Sequence, residues 1–134
     1  MTNASPLERL GLAQGDLVME IGYQDDCDQE LRASIVSLTG TNLVDEKSPE
    51  VVEAVIIWFR DGDGDIADFL MDGLTYLTSE GALWLLTPKF GREGYVEASE
   101  IVDSVNAAGL SQSSSFLIAP NWSATRIVVR KSKK

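Results

Sequence analysis

Chemistry in this sequence would have to come from two acidic stretches and a scattered set of cations and aromatics. Asp61-Gly-Asp-Gly-Asp65, followed by Asp72, has carboxylates near the spacing of a calcium-binding loop. Such a loop needs oxygen ligands at its first, third, fifth and twelfth positions and a glycine at the sixth for the bend. The sixth position here is Ile66, and the eighth is Asp68 where an apolar residue is usual. The expectation is therefore a solvated turn in which Asp65 caps a helix, with no metal site. Cys27 lies among Asp25, Asp26 and Asp28, whose charges disfavour a thiolate, so a reactive cysteine is not expected. It is the only cysteine, which excludes an internal disulfide and a thiolate metal cluster. There is no histidine, so Ser-His-Asp and Cys-His nucleophiles and the common zinc sites are excluded too. No catalytic residue is expected.

Binding is the chemistry that remains. Eleven Lys and Arg face twenty-one Asp and Glu, a net charge of -10. Such a surface repels phosphate backbones, so no nucleic-acid partner is expected. The basic end, Arg130-Lys-Ser-Lys-Lys134, reads as a solubilising tail. No apolar run approaches the roughly 20 residues that span a bilayer, so no membrane is expected either. The opening Met-Thr-Asn-Ala-Ser-Pro has neither a basic head nor an apolar run, and the expected location is the cytoplasm. An apolar fraction of 44% is that of a globular chain.

The elements that would position any binding residues follow from periodicity and caps. Ser5-Pro-Leu-Glu8 is a capping box for a short helix near Leu10. Leu17 to Ile21 reads as a strand covered on both faces. Asp28 caps a helix to about Thr39 with Leu31, Ile35 and Leu38 inward, and Gly40 stops it. A short strand, Thr41 to Asp45, precedes a turn or two of helix capped at Ser48-Pro49-Glu50. Ala54 to Phe59 reads as a central parallel strand. Ile66, Phe69, Leu70, Leu74 and Leu77 repeat at helical spacing. Gly81 turns the chain into strand Ala82 to Thr87. A helix from about Glu97 to Ala108 would turn Ile101, Val102 and Val105 inward, and Ser115 to Ala119 with Thr125 to Arg130 would form a hairpin. Trp58 and Trp84 read as packing residues. The alternation is that of an α/β fold with a largely parallel sheet. Residues 1–130 read as a single domain, with 1–12 an N-terminal helix packed on it and 131–134 a basic tail.

In open α/β sheets, ligands bind beyond the carboxyl ends of the strands. Those ends should carry Tyr23, Arg60, Lys89 with Arg92, and the hairpin connection with Trp122. These five are the candidate binding residues, expected to be partly exposed around one shallow pocket. Cations beside aromatic rings suit a protein partner's acidic segment or a small anion. The competing expectation is that each cation pairs with a nearby carboxylate such as Asp61 or Glu93.

Asp16-Leu-Val-Met-Glu-Ile-Gly22-Tyr-Gln-Asp-Asp26 resembles the opening strand and turn of a class I, S-adenosylmethionine-dependent methyltransferase. Leu77-Thr-Ser-Glu-Gly-Ala-Leu-Trp-Leu-Leu-Thr-Pro-Lys89 resembles the fifth strand of that fold and the turn into it. The order of elements also resembles it, except that too few residues separate Asp45 from Ala54 for the usual crossover of ~10–12. The resemblance implies a three-layer, Rossmann-like α/β fold: a reduced sheet of about six mostly parallel strands ending in an antiparallel hairpin. A closer resemblance is to the bacterial domain-of-unknown-function family numbered 3052. It rests on Val18-Met-Glu-Ile-Gly22-Tyr, Trp58-Phe-Arg-Asp-Gly-Asp-Gly-Asp65, Trp84-Leu-Leu-Thr-Pro-Lys89, Gly91-Arg-Glu-Gly-Tyr-Val96, Ala108-Gly-Leu-Ser-Gln112 and Trp122-Ser-Ala-Thr-Arg126. That family implies the fold and no activity.

Glu20 and Gly22 match the start of the methyltransferase cofactor motif, whose glycines let the backbone approach the cofactor. Gln24 and Asp26 stand where its next two glycines would be. The turn therefore reads as vestigial, no cofactor is expected, and a non-catalytic binding role follows. The alternative is a divergent methyltransferase in which Asp45 or Glu46 holds the ribose. A homodimer is a further expectation.

Overall fold

A computed structural model describes residues 7–45, 47 and 50–129. The caps expected at Ser5-Pro6 and Ser48-Pro49, Glu46, and the Arg130–Lys134 tail lie outside the described residues. Five strands form one mixed sheet: β1 (Val18–Ile21), β2 (Val52–Trp58), β3 (Leu77–Pro88), β4 (Leu110–Ala119) and β5 (Trp122–Val129), in the order β1-β2-β3-β5-β4. The first three are parallel; β5 runs antiparallel between β3 and β4. Three helices, α1 (Gln29–Thr39), α2 (Ile66–Tyr76) and α3 (Ala98–Ala107), connect them, after a single 3-10 turn at Glu8–Leu10.

Caps fix where the helices begin. The Asp28 carboxylate accepts from the Leu31 N–H at 2.8 Å, and Asp65 accepts from Ala67 N–H at 2.9 Å, so each satisfies a donor that the first helical turn leaves free. Gly40, at φ +79°, closes α1 in the left-handed conformation. The sheet separates two apolar clusters, as its alternating side chains require. Val55, Ile57 and Leu85 face Ile66 and Leu70 of α2 and Ile101 and Val105 of α3. Ala54, Ile56, Trp58 and Trp84 face Leu31 and Ile35 of α1, and Leu10.

Several expectations are corrected. The strand expected at Thr41–Asp45 shrinks to one bridge, Val44 to Met19, so the sheet has five strands and not six. The Thr41 hydroxyl spends itself on the Asp16 carbonyl at 2.7 Å, and only Val44 reaches β1, through Glu20 N–H to Val44 O and Val44 N–H to Val18 O. The buried stripe of α1 runs through Leu31, Ile35 and Thr39, leaving Leu38 exposed. Thr39 can be buried because its hydroxyl donates to the Ile35 carbonyl at 3.0 Å. Val102 of α3 is also exposed rather than inward. Gly81 lies inside β3 instead of before it, where the pairing with β2 jumps from Val52–Leu77 to Ala54–Ala82. A Cβ at Gly81 would stand 3.0 Å from the Glu53 carbonyl, so the glycine permits close approach of two strands.

Candidate functional site

The turn after β1 is held by the chain's own side chains. Gly22 has φ +83°, and a Cβ there would run into the Trp58 carbonyl of β2. The glycine at the position that resembles the cofactor motif is thus required by a neighbouring strand. Glu20, buried at the centre of β1, takes two hydrogen bonds from Arg32 of α1 (2.6 and 2.9 Å) and one from the Trp58 indole N–H (2.8 Å). Its carboxylate is fully engaged in tying β1 to α1 and β2. The hydrogen bonds to Glu20 raise the Arg32 pKa above its ordinary value. The Arg32 guanidinium also lies 4.1 Å from the Tyr23 ring centre.

Arg60, just past the end of β2, is 7% exposed. It grips Asp26 bidentately, with Nε to Oδ2 at 2.9 Å and Nη2 to Oδ1 at 2.6 Å. Its Nη1 donates to Asp63 at 3.1 Å, to the Gly22 carbonyl at 3.0 Å and to the Trp58 carbonyl at 3.1 Å. The guanidinium also stands 5.3 Å from the Trp122 ring centre. Burial alone would lower the Arg60 pKa, but the hydrogen bonds it donates to Asp26 and Asp63 outweigh it and the value rises. The reciprocal hydrogen bond holds the Asp26 carboxyl below its ordinary range, against a smaller opposing effect of burial. The Cys27 thiol is pushed up, chiefly by burial and only secondarily by the Asp26 charge, and its sulfur accepts from Arg60 at 3.3 Å.

Beyond this cluster an open cleft of about 750 Å³ lies at the carboxyl ends of β1 and β2, lined by Gln24, Asp25, Asp26, Arg60, Asp61, Asp63, Arg92, Glu93 and Gly94. Two of the five candidate residues, Arg60 and Arg92, line it. Arg60 is not partly exposed as expected, nor paired to Asp61 or Glu93. Its partners are Asp63 and the sequence-distant Asp26. Arg92 makes no ion pair within 4 Å among the described residues, and its charge adds to the lowering of Asp26. Trp122 was expected at the surface but is 1% exposed, edge-on to Trp58 at 4.9 Å, because pairing of β5 with the last residues of β3 draws it under Arg60. Tyr23 is 45% exposed on the α1 side, held by Arg32 and by the Gln29 amide at 3.0 Å. Lys89 is exposed at the end of β3, with its backbone N–H donating to the Asn121 carbonyl. Neither lines the cleft, so the five do not share one pocket.

Sequence reasoning missed Phe90 and Tyr95. Phe90 is 80% exposed beside Lys89, and its ring meets Tyr95 edge to face at 5.2 Å. The available signal was a phenylalanine between a lysine and a glycine, outside any apolar periodicity. In the acidic loop, Asp63 serves Arg60 and Asp65 caps α2, and no group of three or more His, Cys, Asp or Glu able to hold a metal occurs among the described residues. No helix among them is long and apolar enough to cross a membrane.

The family described as "Protein of unknown function (DUF3052)" matches residues 7–131. The chain belongs to that family. Relatives of the DUF3052 chain include uncharacterized protein Rv2239c of Mycobacterium tuberculosis and uncharacterized protein Mb2263c of Mycobacterium bovis. Each is 42% identical over 125 residues, covering 93% of this chain and 78% of the relative. Among solved structures, a putative methyltransferase from Thermoplasma acidophilum superposes with a TM-score of 0.62 at 11% identity, over 97% of this chain and 76% of that one. A precorrin-6y C5,15-methyltransferase from Geobacter metallireducens gives 0.62 at 10% identity, over 93% and 86%. A methyltransferase from Thiobacillus denitrificans, solved with S-adenosyl-L-homocysteine, gives 0.58 at 9%, over 93% and 91%. At these identities the likeness is one of fold: this DUF3052 chain has a methyltransferase-like Rossmann architecture.

Proposed function

We propose that this chain is a non-catalytic binding protein of the cytoplasm, in which a methyltransferase-like fold presents the carboxyl end of its sheet to a protein partner. The observation that carries this reading is Arg60, which joins Asp26, Asp63 and the Gly22 carbonyl across the turn where such folds hold their cofactor. Asp26 occupies the position of the motif's third glycine and is committed to this contact, so the turn is filled from within. A small anion is the weaker candidate ligand. Arg60 is neutralised by its two carboxylates, and Arg92 then faces Asp25, Asp61 and Glu93 in the cleft. Three carboxylates against one free guanidinium oppose a small anion and a phosphate backbone alike.

A protein surface can use both signs at once. Lys89, Phe90, Arg92 and Tyr95 form an aromatic and cationic rim, and an exposed phenylalanine flanked by such residues is the composition of an interface anchor. The second reading, a divergent S-adenosylmethionine-dependent methyltransferase, is favoured by one observation: an open cleft stands at the carboxyl end of β1. In that reading Asp45 or Glu46 would hold the ribose, and the cleft supplies no histidine as a base.

Affinity capture from cytoplasm with the wild-type chain, and with Phe90→Ala and Arg92→Glu, tests the docking surface. Both substitutions are expected to abolish recovery of the partner. The melting temperature should be unchanged for exposed Phe90, since exposed substitutions change stability by about 0.5 kcal/mol or less, and fall slightly for half-buried Arg92, whose charge supports Asp26. Lys47→Glu, in the exposed connection before β2, should recover the partner normally. Equal recovery with all four chains would refute the assignment of this surface.

A further inference from the structure

We propose that the outer edge of β4 is a self-association surface, through which a second copy of this chain pairs antiparallel to form a two-fold dimer that continues the sheet. Strand β4 is terminal in the sheet, and among the described residues no strand lies on the outer side of Gln112–Leu117. A long unpaired edge presents free N–H and C=O groups to any other strand. Proteins blunt such edges with lysine or other charges, or with proline, which has no N–H to donate. Leu110–Ala119 has none of them in ten residues, although 24% of the whole chain is charged.

Three observations favour a second copy as the occupant. First, copies carrying -10 each repel wherever their carboxylates meet, and β4 is a long surface element on which no like charges would face each other. Second, the other end of the sheet is closed. The Val44 bridge takes the outer hydrogen bonds of β1, through Glu20 N–H to Val44 O and Val44 N–H to Val18 O. With one usable edge among the described residues, pairing is isologous and stops at two copies instead of running on as a filament. Third, Leu117 is 51% exposed on this edge, and a neighbouring strand would cover it. The pairing of β4 with β5 is regular from Ser114 to Leu117, between two register shifts, so that stretch offers a straight template. Ser114 and Ser115 are adjacent and point to opposite faces, so charges at both reach a paired strand on either face.

Sedimentation velocity on the full chain over a concentration series tests the proposal. The wild type is expected to move from 14.6 kDa towards twice that mass. Its dimer fraction should rise with salt from roughly 20 to 500 mM, because screening shortens the range of the repulsion between the two acidic bodies from ~20 to ~4 Å. Ser114→Lys/Ser115→Lys and Ser114→Glu/Ser115→Glu should each stay folded at the single-chain mass, with only the small fall in melting temperature that loss of the Ser115–Thr125 hydroxyl bond (3.1 Å) brings. Mixing the two variants should restore the doubled mass through opposite charges. A wild type that remains at 14.6 kDa throughout, with or without another protein's strand on β4, would overturn the proposal. So would a dimer that survives both charged variants, which would put the contact elsewhere.

Discussion

Replacing Arg60 with alanine removes the guanidinium that joins the first two strand ends. Asp26, Asp63 and the carbonyls of Gly22 and Trp58 all lose a donor at once. Removing one member of a fully buried ion pair costs about 3–5 kcal/mol, because the other charge is left uncompensated. Here the abandoned carboxylates keep part of their water, Asp26 being 42% and Asp63 24% exposed, so solvent screens part of the loss. We expect about 2–3 kcal/mol, a fall in melting temperature of roughly 6–12 °C for a domain of this size. Arg60→Lys keeps the charge but not the fork that grips Asp26, and should lose about half as much. Urea denaturation checks both, and the midpoint should move with the slope unchanged.

The same contact predicts a pH dependence. Asp26 is held below its ordinary value of 3.8 in the folded chain, so the unfolded chain takes up the proton first as the pH falls. The stabilisation is complete above that value and is lost as the pH drops through the folded pKa. Arg60→Ala should therefore flatten the acid limb of the stability curve. A cost within about 0.5 kcal/mol, the range of ordinary surface substitutions, with the acid limb intact, would refute the reasoning.

Gly22→Ala combines a left-handed backbone with a collision against the Trp58 carbonyl, and should cost about 2–4 kcal/mol by urea denaturation. Gly15→Ala, also at positive φ but in open space, should cost only about 1 kcal/mol; equal costs would show that close approach of β2 is not what requires Gly22. Calcium should raise the melting temperature no more than magnesium does, and Asp63→Asn should destabilise equally with and without calcium, because its carboxylate serves Arg60. A saturable calcium-specific shift that Asp63→Asn removes would reverse that assignment.

The parts of the fold legible in the sequence are those set by local chemistry. Asp28 and Asp65 declare two helix starts because a cap acts within three residues, and the unbroken apolar run through Ile56 and Ile57 declares a strand buried on both faces. Strand lengths were less legible. The serine-rich first half of β4 has weak β propensity and is extended because β5 pairs with it. Thr39 replaces Leu38 in the buried stripe because of a hydroxyl-to-carbonyl bond that periodicity does not register. At the site, strand-end logic found Arg60 and Arg92 but not the partner Asp26, which lies far away in sequence and meets Arg60 only when β1 and β2 pair. Trp122 reads as surface beside a turn, and only the antiparallel insertion of β5 buries it.

Titration of the purified chain with S-adenosylmethionine and S-adenosylhomocysteine by calorimetry tests the central claim most directly. On the proposed reading, in which Arg60 and Asp26 fill the turn after β1, no binding tighter than about 1 mM is expected, an affinity worth only some 4 kcal/mol. A micromolar dissociation constant for either compound would contradict the closed turn and establish the chain as a cofactor-binding methyltransferase relative.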